Sequence, residues 1–103
     1  MARVTWTERA NSDLRRVLNR LRRVASPATA RKWAARIRAA VGRIAATPEL
    51  GAPVEDGGVD GLREWIVGPF RVVYLFDGTI AEIQVVVRAE RDLGPALDPD
   101  DAA

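Results

Sequence analysis

Seven residues, Phe70-Arg71-Val72-Val73-Tyr74-Leu75-Phe76, constrain this chain more than any other segment. Gly68-Pro69 precedes them and Asp77-Gly78 follows, so turn chemistry bounds the run on both sides and it reads as a strand. Side chains alternate across a strand. Phe70, Val72, Tyr74 and Phe76 point one way, while Val73 and Leu75 point the other, beside Arg71. A strand that is apolar on both faces belongs in the middle of a sheet, with both faces covered at least in part. The rest of the chain must supply the neighbouring strands and the cover.

The neighbours are legible. Leu62–Val67 forms a strand before the turn, and Asp77-Gly78 is a two-residue hairpin signal leading into Thr79–Arg88. In that last strand Ala81, Ile83, Val85 and Val87 alternate with Glu82, Gln84, Val86 and Arg88, which predicts one core face and one mixed face. Arg3–Trp6 is a further β-prone run. The cover comes from two helical stripes. Ala10, Leu14, Val17, Leu18, Leu21, Val24 and Ala25 recur at steps of three and four, after a hydroxyl cap at Thr7 and capping-box spacing between Thr5 and Glu8. Ser26-Pro27 interrupts the pattern and restarts it as a cap and first helical position. Ala30, Trp33, Ala34, Ile37, Val41, Ile44 and Ala45 then share a face until Thr47-Pro48.

The short connection makes the helices an antiparallel hairpin. Residues 48–61 are turn chemistry throughout and read as a surface loop with no strong element. The order β-α-α-β-β-β predicts an α+β fold, with the helical hairpin packed on one face of a mostly antiparallel sheet. A chain of 103 residues fits one domain. We expect that domain over residues 1–93 and an acidic, Pro-containing flexible tail over 94–103.

Composition removes several chemistries. There is no Cys and no His, so disulfides, thiolate zinc sites, thiol nucleophiles and imidazole bases are excluded. No metal site and no cofactor is expected, since there is also no glycine-rich phosphate loop. The sole lysine is Lys32 and the sole tyrosine is Tyr74. The N-terminus is too short and too charged for a signal peptide, and no stretch approaches a membrane span, so the expected location is the cytoplasm. Charge is segregated. Residues 1–43 carry 12 basic and 2 acidic side chains, and residues 44–103 carry 4 basic and 12 acidic. That asymmetry fits either a nucleic-acid-binding surface or two solvated helix faces rich in arginine.

Four segments carry a family resemblance. They are Trp6-Thr7-Glu8-Arg9-Ala10-Asn11-Ser12-Asp13-Leu14 at the entry to the first helix, and Ile44-Ala45-Ala46-Thr47-Pro48-Glu49-Leu50-Gly51 at the end of the second. The most specific is Gly61-Leu62-Arg63-Glu64-Trp65-Ile66-Val67-Gly68-Pro69-Phe70-Arg71-Val72-Val73-Tyr74, with Arg-Glu, a short strand, Gly-x-aromatic-Arg and Val-Val-Tyr. Val85-Val86-Val87-Arg88-Ala89-Glu90-Arg91-Asp92-Leu93 closes the series. In this order they resemble the ParE/RelE superfamily of type II toxins from toxin–antitoxin systems, over residues 2–93. Many members carry His where this chain has Arg88.

The resemblance implies a toxin neutralised by a cognate antitoxin, in a heterotetramer or larger complex. The antitoxin's amphipathic segment would lie in an apolar groove, for which Leu14, Leu18, Trp33, Ile37 and Trp65 are the candidates. It also implies one of two actions: inhibition of DNA gyrase by binding, or ribosome-dependent mRNA cleavage. RNA cleavage needs a group to activate the 2′-hydroxyl, charge on the phosphate and a proton source. Arg71, Arg88 and Arg91 can supply the charge. Tyr74 reads as a packed side chain, no Tyr follows Arg91, and there is no His. The gyrase-binding reading is therefore favoured, with Arg63, Arg71, Arg88 and Arg91 as candidate target contacts. Arg63 and Arg71 can equally pair with Glu64, Asp77 or Glu82 across the sheet. An mRNA endonuclease and an inactive interaction module remain the alternatives. Neither membrane association nor sequence-specific DNA binding by the toxin alone is expected.

Overall fold

The computed structural model describes residues 1–54 and 59–89. Among them, β1 spans Arg3–Trp6, α1 Glu8–Val24, α2 Pro27–Ala46, β2 Ala52–Pro53, β3 Leu62–Val67, β4 Phe70–Phe76 and β5 Ile80–Arg88. The sheet order is β1-β5-β4-β3-β2. All neighbours pair antiparallel except β1 and β5, which run parallel. The arrangement is the expected α+β fold, with both helices on one face. Arg91 and the acidic tail lie outside the described residues.

Each helix starts where its cap chemistry allows. The Thr7 hydroxyl accepts from the Ala10 amide at 2.9 Å, and the Ser26 hydroxyl accepts from the Thr29 amide at 3.1 Å, with Pro27 in the first helical turn. The Thr5–Glu8 capping box does not form, because Thr5 belongs to β1 and Thr7 is the cap.

The core between helices and sheet contains Ala10, Ile37, Ala40 and Ile44 from the helices, with Val67, Phe70, Val72, Tyr74, Ala81, Ile83 and Val86 from the sheet. Ile37, Ile44, Val72 and Ile83 are fully enclosed, and each such side chain contributes about 1.5–3 kcal/mol. The opposite face buries Val54, Leu62, Val73, Val85 and Val87, with Leu75 against them. Strand β4 therefore is apolar on both faces and lies at the centre of the sheet.

Two further expectations are corrected. Ala81, Ile83, Val85 and Val87 do not share a face. Tyr74 pairs with Ile83 but Val73 pairs with Val85, so Gln84 is an extra residue on β5 and resets the alternation. Ala81, Ile83 and Val86 consequently face the helices, while Val85 and Val87 face away. The start of α1 docks on this bulge: the Thr7 amide donates to the Ile83 carbonyl at 3.1 Å, and its hydroxyl to the Gln84 carbonyl at 3.3 Å. Second, the segment after α2 contains a 3-10 turn over Pro48–Leu50 and the two-residue β2, which pairs with Arg63 and Glu64 of β3. Turn composition hid a strand too short to show alternation.

Candidate functional site

The sole tyrosine is committed to the fold. Tyr74 lies in the middle of β4 and has no exposed surface. Its hydroxyl donates to the Pro48 carbonyl at 2.6 Å and accepts from the Gly51 amide at 2.9 Å. Burial raises its pKa above the ordinary 10.0, against smaller opposing effects of the Gly51 amide and Arg63. Arg63 serves the same segment. It projects from β3 and donates to the Gly51 carbonyl at 2.7 Å and the Glu49 carbonyl at 3.3 Å. Together Tyr74 and Arg63 tie the turn after α2 to the sheet.

Arg71 is on the other face. It pairs with Val87 of β5 and Ile66 of β3, and its guanidinium bonds to Glu64 through Nε at 2.7 Å, with a second contact from Nη2 to the same oxygen. It is 8 % exposed, beside Ile66, which is 49 % exposed. The cross-sheet partner is Glu64; Asp77 instead binds the Ile80 and Thr79 amides, which lower its pKa in that order.

Arg88 follows Val87 and so points to the helix side. There it shares a shallow recess with Asp13, Arg16, Val17, Arg20, Val86 and Val87. Asp13 is the anchor of this seam and is 1 % exposed. It accepts from the Val86 amide at 3.1 Å, from Arg9 at 2.9 Å and from Arg16 at 3.4 Å. In the sequence Asp13 stands out only as half of an Asp-Leu pair. Its signal was an acid at a position bordering an apolar stripe, with arginines four residues before and three after.

The candidate arginines thus do not converge. Among the described ones, Arg63 holds the turn, Arg71 lies on the sheet face away from the helices, and Arg88 lies on the helix face. Among the described residues no acidic cluster could hold a metal, and no helix is long and apolar enough to cross a membrane.

The apolar candidates divide as well. Ile37 is fully enclosed, so a partner can meet it only if the hairpin moves, and Leu18 keeps 9 % exposure. Leu14, Trp33 and Trp65 are half-buried against the main core. Trp33 meets Phe70 edge-on, with ring centres 5.7 Å apart. It also covers Gly68 at the β3–β4 turn, where φ is +57° and a Cβ would lie 2.2 Å from the indole. Cations cap both rings: Arg36 at 4.9 Å and Lys32 at 5.3 Å over Trp33, and Arg43 at 5.5 Å over Trp65. This rim was missed because its cations read as ordinary solvated arginines. The spacing Lys32-Trp33-x-x-Arg36 was the available signal.

Among curated proteins there is no match. A solved structure described as "Chromosomal ParDE TA system from P. aeruginosa" is similar, with 26% identity and a TM-score of 0.74, covering 87% of this chain and 98% of that one. The family described as "ParE toxin of type II toxin-antitoxin system, parDE" matches residues 4–93. That match runs from β1 through the Asp13 seam, the Tyr74 lock and the Arg71 face, and the chain belongs to the ParE toxin family.

Proposed function

We propose that this protein is a toxin that inhibits DNA gyrase by binding and is neutralised by a cognate antitoxin. The observation that carries the binding reading is the separation of Arg71 from Arg88. They lie on opposite faces of the sheet and do not converge on one phosphate, which speaks against the pairing of these two in RNA cleavage and supports the binding reading. The buried Tyr74 hydroxyl, already bonded on both sides, adds to this, because it has no route to a leaving oxygen. Ile66, exposed on the sheet face away from the helices, and Arg71 beside it are the first target contacts to test.

The antitoxin would seat along the rim of Trp33 and Trp65. Half-buried aromatics suit anchoring of an amphipathic segment, and Lys32, Arg36 and Arg43 suit acidic residues on it. The deciding experiment titrates purified toxin into a gyrase supercoiling assay beside a translating-ribosome mRNA cleavage assay. Lost supercoiling with accumulated cleaved DNA and intact mRNA is expected, reversed by added antitoxin. Cut mRNA with unaffected gyrase would overturn the reading. Silence in both would favour an inactive interaction module.

A further inference from the structure

The helical hairpin has an outer face that neither the core nor the tryptophan rim uses. Its basic residues fall on defined lines. Arg15 and Arg22, seven residues apart, share one line of α1, with Arg20 and Arg23 flanking the other side of its outer face. Arg31 and Arg38 share a line of α2, on the side away from the Lys32, Arg36 and Arg43 rim. All six are exposed. Seven helical residues advance about 10.5 Å, and packed helices lie about 8–10 Å apart. The hairpin therefore presents spaced guanidiniums over a broad ridge.

Among the described residues, the charge on this ridge is uncompensated locally. The only acids in the two helices are Glu8 and Asp13, and Asp13 is buried and occupied by Arg9, Arg16 and the Val86 amide. None of Arg15, Arg20, Arg22, Arg23, Arg31 and Arg38 has an ion-pair partner among the described residues. The ridge also lacks apolar anchors. Between the arginines lie Ser12, Asn19, Ala28, Ala35 and Ala39, and the one large exposed apolar side chain on either helix is Val24, at the end of α1. A peptide partner gains most of its affinity from apolar or aromatic anchors. A surface of spaced arginines without such anchors instead matches a partner recognised through its phosphates alone.

We propose that the outer face of the α1–α2 hairpin binds the phosphate backbone of duplex nucleic acid without reading its sequence. This surface is separate from the Arg71 face and does not depend on gyrase being the target.

The test is fluorescence anisotropy of the full chain with two unrelated labelled DNA duplexes of about 24 base pairs, from about 50 to about 200 mM KCl. Both duplexes should bind equally, and affinity should fall steeply with salt. Each phosphate contact contributes about 0.9 to the slope of log affinity against log salt. The quadruple variant Arg15→Gln, Arg22→Gln, Arg31→Gln, Arg38→Gln should lower that slope by about 3 to 4 and weaken binding by about tenfold or more. The same four positions changed to Lys should keep the affinity within about threefold, since the charge persists. No binding at the lowest salt would overturn the proposal, as would an unchanged slope in the Gln variant or equal loss in the Gln and Lys variants. Tighter binding of labelled poly-glutamate than of duplex would overturn it in favour of an acidic polypeptide.

Discussion

Asp13 and Arg71 are the two buried charged residues among those described, and they lie on opposite faces of one sheet. Asp13 is enclosed between α1 and the β5 bulge and receives three donors, one of them the Val86 backbone amide. Arg71 is held by Glu64, a carboxylate still 25 % exposed, on a face bordered by the exposed Ile66. The contrast separates two reasons for burying charge. Asp13 completes backbone bonding on β5 beyond the end of β1, whose last pair is Trp6 with Ile83, so it is part of the fold. Arg71 is held by a side-chain carboxylate that still meets water, on a face with no helix against it, so its burial depends on strand pairing rather than on a backbone donor.

The comparison breaks most directly at Asp13. Asp13→Ala strands the Val86 amide and removes the partner of Arg9, whose side chain is 19 % exposed. We expect a loss of about 3 kcal/mol in chemical denaturation. Asp13→Asn keeps an acceptor for Val86 and should lose about 1 kcal/mol. A loss for Asp13→Ala no larger than that for Asp13→Asn would remove the structural role.

Tyr74 sharpens the comparison with a buried group that is uncharged. Tyr74→Phe leaves the Gly51 amide and Pro48 carbonyl without their partner and should cost about 2 kcal/mol. Because folding raises the Tyr74 pKa above 10.0, its contribution is complete below that value and is lost as pH rises through the folded value. Tyr74 is the only tyrosine, so tyrosinate absorbance reports it alone. Its ionisation should coincide with alkaline unfolding, and the Phe variant should lose this part of the pH dependence.

Arg71→Met should cost about 1–2 kcal/mol of stability, less than Asp13→Ala, since Glu64 is still 25 % exposed and can rehydrate in part. On the proposed function, the same change should weaken inhibition in the gyrase supercoiling assay by about tenfold or more. A large loss of stability with unchanged inhibition would place Arg71 beside Asp13 as a structural charge.

The smallest effect is expected at Asp77, which is fully exposed. Its pKa is lowered by the Ile80 and Thr79 amides, so its contribution is present above the unfolded value of 3.8 and is lost as pH falls below it. Asp77→Asn should flatten only the acid end of the stability profile.

Much of this was readable in advance. Phe70–Phe76 demanded a central strand, Ser26-Pro27 divided two amphipathic helices, and Asp77-Gly78 closed a hairpin, because each depends on local sterics and periodicity. The bulge at Gln84 was not readable. Val85, Val86 and Val87 are apolar on either phase, so nothing local says where alternation resets. Strand β2 was hidden for a related reason: two residues carry no period. Among the candidate site residues, the half-burial of Trp33 followed from its place on the second helical stripe, whereas the separation of Arg71 from Arg88 depends on strand pairing across the bulge.

The sequence by itself determined the fold class and the absence of imidazole and thiol chemistry, and its motifs pointed to the toxin family, because patterning and residue inventory are local properties. Tertiary structure alone decided which arginines hold the fold and which meet solvent. That depends on which carbonyl or carboxylate each guanidinium finds across the sheet, and those partners lie up to 14 residues away for Arg63 and 7 for Arg71.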